Sequence, residues 1–260
     1  MKKILLPTLL LLILAVSCEK ADVIQPITPP EPPDTDTIVP DQPVPAIFSV
    51  SDSLKVRFAP GNLQHIDGTW QFAAHQGDFL GTFDANHCDL FTWSTTNTNW
   101  GLDTMWEWMY YDYDFRDWGS NPDLIATLGE GWRTLSADEW DYLLNHRVVN
   151  GSAGEGHSWI AARIDGQYGL IIYPDNFTQQ TSTLGIIPDS CVFLPAPGSR
   201  DGNTLLFRNE DFGFYWTSTP TEGLGEANHL IFYQSYSQTM LRIGTTERYL
   251  GLSVRLARDI

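Results

Sequence analysis

The chain has 260 residues, of which 15 are basic and 32 are acidic, giving a formal charge of −17 at neutral pH. So acidic a surface repels nucleic-acid phosphates and anionic lipid headgroups, which excludes both as partners. The charge is compatible with divalent cations, neutral glycans or basic partners, or with solubility alone. After residue 16, no stretch approaches the roughly 20 apolar residues that span a bilayer.

The first residues have the pattern of an export signal. Lys2 and Lys3 precede an almost wholly apolar run from Ile4 to Val16, which is too short for a membrane span but fits the central region of a signal peptide. Residues 14–18 (LAVSC) resemble the lipobox read by lipoprotein signal peptidase. We therefore expect residues 1–17 to be a lipoprotein signal peptide and Cys18 to carry the lipid anchor. The alternative is an ordinary secretory signal that contains a cysteine.

The residues after Cys18 bear on the location of the protein. Glu19, Lys20 and Asp22 loosely resemble the acidic surface-export signals of some Gram-negative lipoproteins. Two acyl chains on one residue suffice for stable anchoring, so contact with the membrane is expected through the lipid only. The expected location is the outer membrane of a Gram-negative bacterium, exposed at the cell surface.

Residues 18–47 are predicted to be the anchor and a disordered stalk. Eight prolines fall between Pro26 and Pro45, and such a stretch is held extended as a semi-rigid spacer. Asp36-Thr37-Ile38 resembles the sequon of bacterial general O-glycosylation, which would place a glycan on Thr37. A three-residue pattern also arises by chance, and both interpretations stay open.

Residues 48–260 are predicted to form one globular domain. Proline becomes sparse and aromatic residues frequent, and the length suits a single core. The first 47 residues hold three basic and six acidic residues, which leaves 12 and 26 in the domain, a formal charge of −14. Cys88 and Cys191 lie in an oxidising compartment, so they form either a disulfide or two separate buried thiols.

The domain has the pattern of short strands between turns. Alternation or apolar runs predict the following strands, the first of which could also be a hairpin: 48–58, 69–72, 169–173, 191–194, 229–234 and 252–257. One helix is predicted in detail. Ser136 caps its start, Glu139 closes a capping box, and Trp140, Leu143 and Leu144 share one face, which predicts that they lie in the core.

Three motifs carry a family resemblance. Residues 131–140 (GWRTLSADEW), 213–219 (GFYWTST) and 253–256 (SVRL) resemble, in order, the signatures of uncharacterised bacterial lipoprotein domains. These domains resemble the Fibrobacter major paralogous domain group and are related to the sulfatase-modifying (formylglycine-generating) domain. The resemblance implies an α+β, C-type-lectin-like fold with a small mixed sheet, about two helices, long irregular loops, and first and last strands side by side.

The resemblance does not carry the oxidase activity to this chain. The sulfatase-modifying domain holds copper with a cysteine pair in its C-terminal part, but residues 238–260 contain no cysteine. The calcium-binding motifs of C-type lectins are also missing from the sequence. No Gly-x-Ser-x-Gly elbow occurs, and the histidines match no standard zinc spacing. We therefore expect no enzyme and no cofactor, with calcium as the one cation to consider.

The segment 100–118 is the candidate binding site. Aromatic faces stack on sugars and carboxylates accept hydroxyl hydrogen bonds, so its mixture suits a glycan. The candidate ligand-binding residues are Trp100, Trp106, Trp108, Tyr111, Tyr113 and Trp118, and the candidate calcium ligands are Asp112, Asp114 and Asp117. The alternative is that these aromatic residues form core under a loop, with 117–119 a simple turn.

Arg133 and Arg255 are interpreted as buried partners of acids that join sheet to helix. The leading functional hypothesis is a non-catalytic, surface-displayed binding or adhesion domain for a glycan or an extracellular protein. The alternative hypothesis is a structural or assembly component of a cell-surface complex. A degenerate relative of the formylglycine-generating oxidase is a remote third.

Overall fold

The structure is a computed structural model. It describes residues 46–84, 86–103, 114–177, 187, 190–207, 211–222, 225–236 and 238–260, all of which belong to the compact unit Ile38–Ile260. The predicted signal peptide, Cys18, Thr37 and the stalk up to residue 45 lie outside these residues. Ala46, which was predicted to belong to the stalk, is buried in the main hydrophobic cluster. Within them, no helix has the length and apolarity needed to cross a bilayer.

The described residues form short strands and two short α-helices, which places the domain in the α+β class. The helices are α1, Pro122–Leu128, and α2, Ala137–Asp141, which a π-helical turn extends over Tyr142–His146. The strands are β1 Phe48–Ser49, β2 Lys55–Phe58, β3 Leu63–Ile66, β4 Thr69–Phe72, β5 His87–Cys88, β6 Trp132–Thr134, β7 Trp159–Ile164, β8 Gln167–Ile172, β9 Val192–Pro195, β10 Ser199–Asp201, β11 Thr204–Leu206, β12 Phe212–Pro220, β13 Glu226–Ser235, β14 Gln238–Glu247 and β15 Leu256–Asp259.

These strands form five small antiparallel sheets rather than the single mixed sheet that was predicted. The sheets are β1-β2-β15-β6, β4-β3-β5, β7-β8-β9, β10-β11 and β12-β13-β14. Sequential strands pair across short connections, which favours antiparallel hairpins over the longer crossovers that parallel pairing requires. Parallel contacts among the described residues are confined to isolated bridges, such as Tyr215 with Ser253.

The first sheet brings the two ends of the domain together. The predicted strand or hairpin over residues 48–58 is a hairpin, with Phe48 opposite Val56. Its second strand pairs with β15, where Phe58 lies opposite Ala257. The last strand was predicted at residues 252–257 but begins at Leu256, because the preceding residues form isolated bridges to other parts of the chain.

Helix α2 has the capping box that the sequence predicted. The Ser136 hydroxyl accepts a hydrogen bond from the Glu139 N–H, while the Glu139 carboxylate accepts one from the Ser136 N–H at 2.7 Å. Trp140, Leu143 and Leu144 are buried in the largest hydrophobic cluster, between the first sheet and the β7-β8-β9 sheet. Arg133 joins sheet to helix as interpreted, since its guanidinium contacts Glu139 on α2 and Asp259 on β15, but it is half-buried rather than buried.

Arg255 differs from its interpretation as the partner of an acid. It is fully buried, and its guanidinium donates to the carbonyl oxygens of Ala59, Gln76 and Phe193. Burial lowers its pKa to about 10. Arg255 therefore joins backbone segments and bonds to carbonyl groups that the short strands leave unpaired. The sequence motif alone does not distinguish this role from that of an ion pair with an acid.

The two cysteines of the domain lie in different clusters. Cys88 packs with the cluster around Trp93, Trp118 and Trp216, whereas Cys191 packs with Tyr173 and Phe193. Both are buried, and the structure has them as thiols. The structure therefore has two separate buried thiols rather than a disulfide. Burial raises the pKa of Cys88 to about 12, which makes its thiol unreactive at neutral pH.

Candidate functional site

The predicted binding segment lies partly outside the described residues, which omit 104–113. Trp106, Trp108, Tyr111, Tyr113 and Asp112 therefore have no described position. Trp118 is a core residue and presents no face to a ligand: it is completely buried, and its indole N–H donates to the Trp100 carbonyl at 2.7 Å. The prediction that Trp118 binds a ligand is therefore wrong, and Trp118 has a packing role. Large aromatic side chains of a loop are commonly buried under that loop, where they fill the core.

Of the candidate calcium ligands, Asp114 and Asp117 are described. The Asp117 carboxylate accepts hydrogen bonds from the Gly119 N–H at 3.0 Å and from the Thr134 N–H at 2.9 Å. It caps the 3₁₀ turn of residues 118–120 and joins that turn to β6, while Asp114 is exposed. Among the described residues, no group of three or more histidine, cysteine or acidic side chains is placed to share a metal ion.

Trp100 is half-buried, and its ring is covered on one side by the Arg116 guanidinium, whose central carbon lies 3.5 Å from the ring centroid. A cation above an indole ring competes with a sugar for the same face. Of the predicted ligand-binding aromatics that are described, Trp100 alone retains partial exposure.

A cleft lies elsewhere, at the tip of the β7–β8 hairpin. Asp165 and Gly166 form the two-residue turn, with φ of 50° and 84°. A type I′ turn requires positive φ at both positions and matches the twist of the flanking strands, which is why Asp-Gly is favoured there. The turn fixes the register that sets Arg163 opposite Tyr168, and both side chains reach the cleft.

Three further chain segments complete the cleft. Gln76 bonds twice to β9 and so positions the loop that carries Phe79: its amide nitrogen donates to the Cys191 carbonyl, and its oxygen accepts the Phe193 N–H. Ala196 follows β9, and Asp211 precedes β12. The cleft has a volume of about 520 Å³, and its lining residues are Phe79, Arg163, Asp165, Gly166, Gln167, Tyr168, Ala196 and Asp211. This volume falls within the roughly 300–1,000 Å³ of small-molecule sites.

An ion pair organises the polar side of the cleft. The Arg163 guanidinium donates to the Asp211 carboxylate, and the side chain of Arg163 remains 53% exposed. The same guanidinium lies 5.6 Å from the centroid of the Tyr168 ring. Burial raises the pKa of Tyr168, so its hydroxyl stays protonated and bonds to the Thr239 hydroxyl at 3.0 Å.

The lining combines planar guanidinium, carboxylate and amide groups with aromatic surface. Arg163 supplies several N–H donors, Asp165 and Asp211 supply carboxylate acceptors, and Gln167 supplies both kinds. The half-buried Phe79 supplies apolar surface, and Tyr168 also lines the cleft but is only 4% exposed. Adjacent hydroxyls of a sugar bind to such planar groups in pairs, and the C–H face of the ring lies against aromatic carbon.

The sequence did not predict the cleft, because only part of the cleft has a local sequence signal. The Asp165-Gly166 pair between two apolar runs is a strong local hairpin signal, and it would have placed Arg163 and Tyr168 together. No local pattern places Asp211 beside them, because it lies 48 residues after Arg163.

The chain matches no protein-family model, no curated protein and no solved structure. The family resemblance of the three motifs therefore remains a resemblance.

Proposed function

We propose that this chain is a non-catalytic, lipid-anchored, surface-displayed binding domain, and that the cleft at the β7–β8 hairpin is its ligand site. The observation that carries the proposal is the cleft itself, whose lining combines the half-buried Phe79 with charged and amide groups. Ligand pockets combine apolar surface with a few convergent polar groups in this way. The ligand class that fits best is a neutral or basic glycan, since the domain is strongly acidic.

The C-type-lectin-like fold is part of the same proposal. The antiparallel pairing of β2 with β15 supports it, because the resemblance implies first and last strands side by side. The two short helices support it as well. The five small sheets are less regular than the resemblance implies, so the proposal depends mainly on the motifs and on this pairing.

A glycan array probed with the domain of residues 46–260 tests the binding role. Binding to a defined set of glycans, weakened by Arg163→Gln and Asp211→Asn, is the expected result. No binding to glycans or extracellular proteins would count against it. The sequence also suggested calcium binding by residues 112–117. If calcium binds there, the melting temperature of the protein should be higher in calcium than in chelator.

The anchor has its own test. Labelled fatty acid should enter the full-length chain and should not enter Cys18→Ala, whereas equal labelling of both would contradict a lipid on Cys18. A glycan on Thr37 should give a mass shift that Thr37→Ala removes. Surface exposure is checked by protease accessibility on intact cells.

A role in assembly is the second candidate, and a specific observation favours it. Phe207, Tyr236 and Met240 are 43%, 103% and 41% exposed, at the β11–β12 connection and the β13–β14 hairpin. Phe207 lies against Phe212, and Phe212 stacks on Tyr233, which is opposite Met240 in the sheet. Exposed apolar side chains close to one another mark contact surfaces. Co-purification of a defined partner after crosslinking on cells, together with a negative glycan array, would favour assembly over ligand binding.

A further inference from the structure

Strand β14 is a long strand at the edge of its sheet. It pairs with β13 through ten consecutive residues, from Gln238 to Glu247, with no break in register. Its sheet has the order β12-β13-β14, and among the described residues no strand pairs with the outer edge of β14. Ten residues exceed the usual strand length of about five or six.

The hydrogen bonds of the neighbouring strands show which groups of β14 point outward. The Arg248 N–H donates to the Gly225 carbonyl, in continuation of the β13–β14 ladder. Since bonding residues alternate in an antiparallel ladder, the even-numbered residues of β14 bond to β13 and the odd-numbered ones point away. The outer N–H and C=O groups belong to Thr239, Leu241, Ile243 and Thr245, and no described residue outside the sheet bonds to them.

This edge lacks several of the features that protect edge strands, although Arg242 and Glu247 place two charges on the strand. Such strands are blunted by proline, lysine, a bulge or short length, because open N–H and C=O groups recruit further strands. The ten residues of β14 (QTMLRIGTTE) contain no proline and no lysine, and their register has no bulge. The strand is therefore competent to accept another strand.

A groove lies between helix α2 and the face of the β12-β13-β14 sheet, and it reaches the edge strand β14. It has a volume of about 490 Å³ and is lined on the strand side by Leu241, Arg242 and Ile243. On the helix side the lining residues are Ala137, Asp138, Asp141 and Asn145, and the other two strands contribute Thr219 from β12 and Asn228 from β13. The side chains of Leu241 and Ile243 pack toward the main core, on the same side of the sheet as α2.

The charges of the groove favour a basic occupant. Asp138 is exposed, and its carboxylate has no partner among the described residues, while the Asp141 carboxylate bonds to Asn145 and His146. Arg242 is the one cation of the lining, and its side chain belongs to the opposite face of the sheet, near His229. A second copy of this domain, with its formal charge of −14, would be repelled.

We propose that the outer edge of β14 binds an extended peptide as an added antiparallel strand, with lysine or arginine side chains toward Asp138 and Asp141. Main-chain bonds to the four outer residues would supply affinity, and the carboxylates on α2 would select basic side chains on alternate positions. This second site shares no lining residue with the cleft, although Thr239 on the edge bonds to the cleft residue Tyr168. The two sites are therefore tested with different variants.

The probe is an acetylated, amidated heptapeptide of alternating lysine and valine, added to the domain of residues 46–260. In an antiparallel pair, residues directly opposite each other share a face, so the lysines lie opposite the outer residues of β14 and bond to them. Amide exchange followed by NMR should slow at Leu241, Ile243 and Thr245. It should stay unchanged at Arg242 and Gly244, which already bond to β13.

Methylated peptides separate strand addition from charge attraction. Methylating the lysine amides removes the donors that face β14 and should weaken binding at least about tenfold, since several hydrogen bonds are lost. Methylating the valine amides leaves that edge intact and should change binding little. A glutamate–valine peptide should not bind.

Two variants of equal charge complete the test. Asp138→Asn should weaken the lysine peptide by about two- to fivefold, the size of one exposed ion pair. Asp123→Asn, at the exposed start of α1, should leave the affinity unchanged.

Three results would overturn the proposal. The first is no binding of the lysine peptide at millimolar concentration. The second is equal binding of the two methylated peptides, which would reduce the interaction to charge. The third is concentration-dependent dimerisation with protection of the same outer amides in the absence of peptide, which would assign the edge to a second copy.

Discussion

Arg163 on β7 and Asp211 before β12 form an ion pair that joins two separate sheets at the cleft. The pair is partly exposed, and such pairs contribute about 0–1 kcal/mol to stability. Arg163→Gln is therefore expected to lower the free energy of unfolding by less than about 1 kcal/mol, measured by urea denaturation. A loss of several kcal/mol would make the pair a structural element rather than part of a ligand site.

Trp118 is predicted to matter for stability and not for binding. Removal of a fully buried tryptophan leaves a large cavity, so Trp118→Ala should cost about 3–5 kcal/mol of unfolding free energy. The exposed Tyr236 is the control, and Tyr236→Ala should change stability by no more than about 0.5 kcal/mol. A Trp118→Ala domain as stable as the wild type would contradict the burial.

Ser136 and Glu139, the two members of the capping box, are expected to differ in their contribution to the free energy of unfolding. Ser136→Ala removes one cap and should cost about 1 kcal/mol. Glu139→Ala should cost about 2–4 kcal/mol, because it also removes both hydrogen bonds to the Arg133 guanidinium, at 2.9 and 2.7 Å. Urea denaturation of the two variants gives the comparison, and equal losses would show that the contact with Arg133 contributes nothing.

Asp89 should make the domain less stable as the pH rises. Burial raises its pKa from 3.8 to about 6, so the folded protein retains a proton that the unfolded chain has already lost between these values. The stabilisation is complete below pH 3.8 and is lost as the pH rises through about 6, by up to about 3 kcal/mol. The neighbouring Arg200 opposes the shift without cancelling it.

His229 should act in the opposite direction over the same range. Burial, assisted by Arg242, lowers its pKa from 6.5 to about 4, so stability is lost as the pH falls through this window. In the wild type the two effects offset each other. In Asp89→Asn only the His229 effect remains, so the domain should lose stability as the pH falls from 6.5 to 4. In His229→Gln only the Asp89 effect remains, so the domain should gain stability as the pH falls over the same interval.

Urea denaturation at pH 4, 5 and 6.5 measures both slopes. Parallel pH profiles for the wild type and the two variants would contradict the pKa shifts of both groups. A change in only one variant would identify which of the two environments differs from the structure.

The sequence predicted features that depend on neighbouring residues. The box of Ser136 and Glu139 is a local contact, and so is the apolar face of Trp140, Leu143 and Leu144. The strand signals at 69–72 and 229–234 also came from local alternation, and the structure has β4 and β13 there.

Features that depend on distant parts of the chain could not be predicted in the same way. An exposed aromatic ligand and a core tryptophan have the same sequence signal, and only the surrounding fold places Trp118 inside. Arg255 bonds to carbonyl groups on three separate segments, where the sequence suggested an acid. The cleft needs four segments brought together, of which only the Asp165-Gly166 turn has a local signal.

The most direct measurement is a calorimetric titration with the glycan that gives the strongest array signal. We expect three variants, Arg163→Gln, Asp165→Asn and Asp211→Asn, each to raise the Kd at least about tenfold, because each removes a charged hydrogen-bonding partner. Asp138→Asn, outside the cleft, should leave the Kd unchanged. Equal affinity in all five proteins, the wild type included, would contradict the cleft as the ligand site.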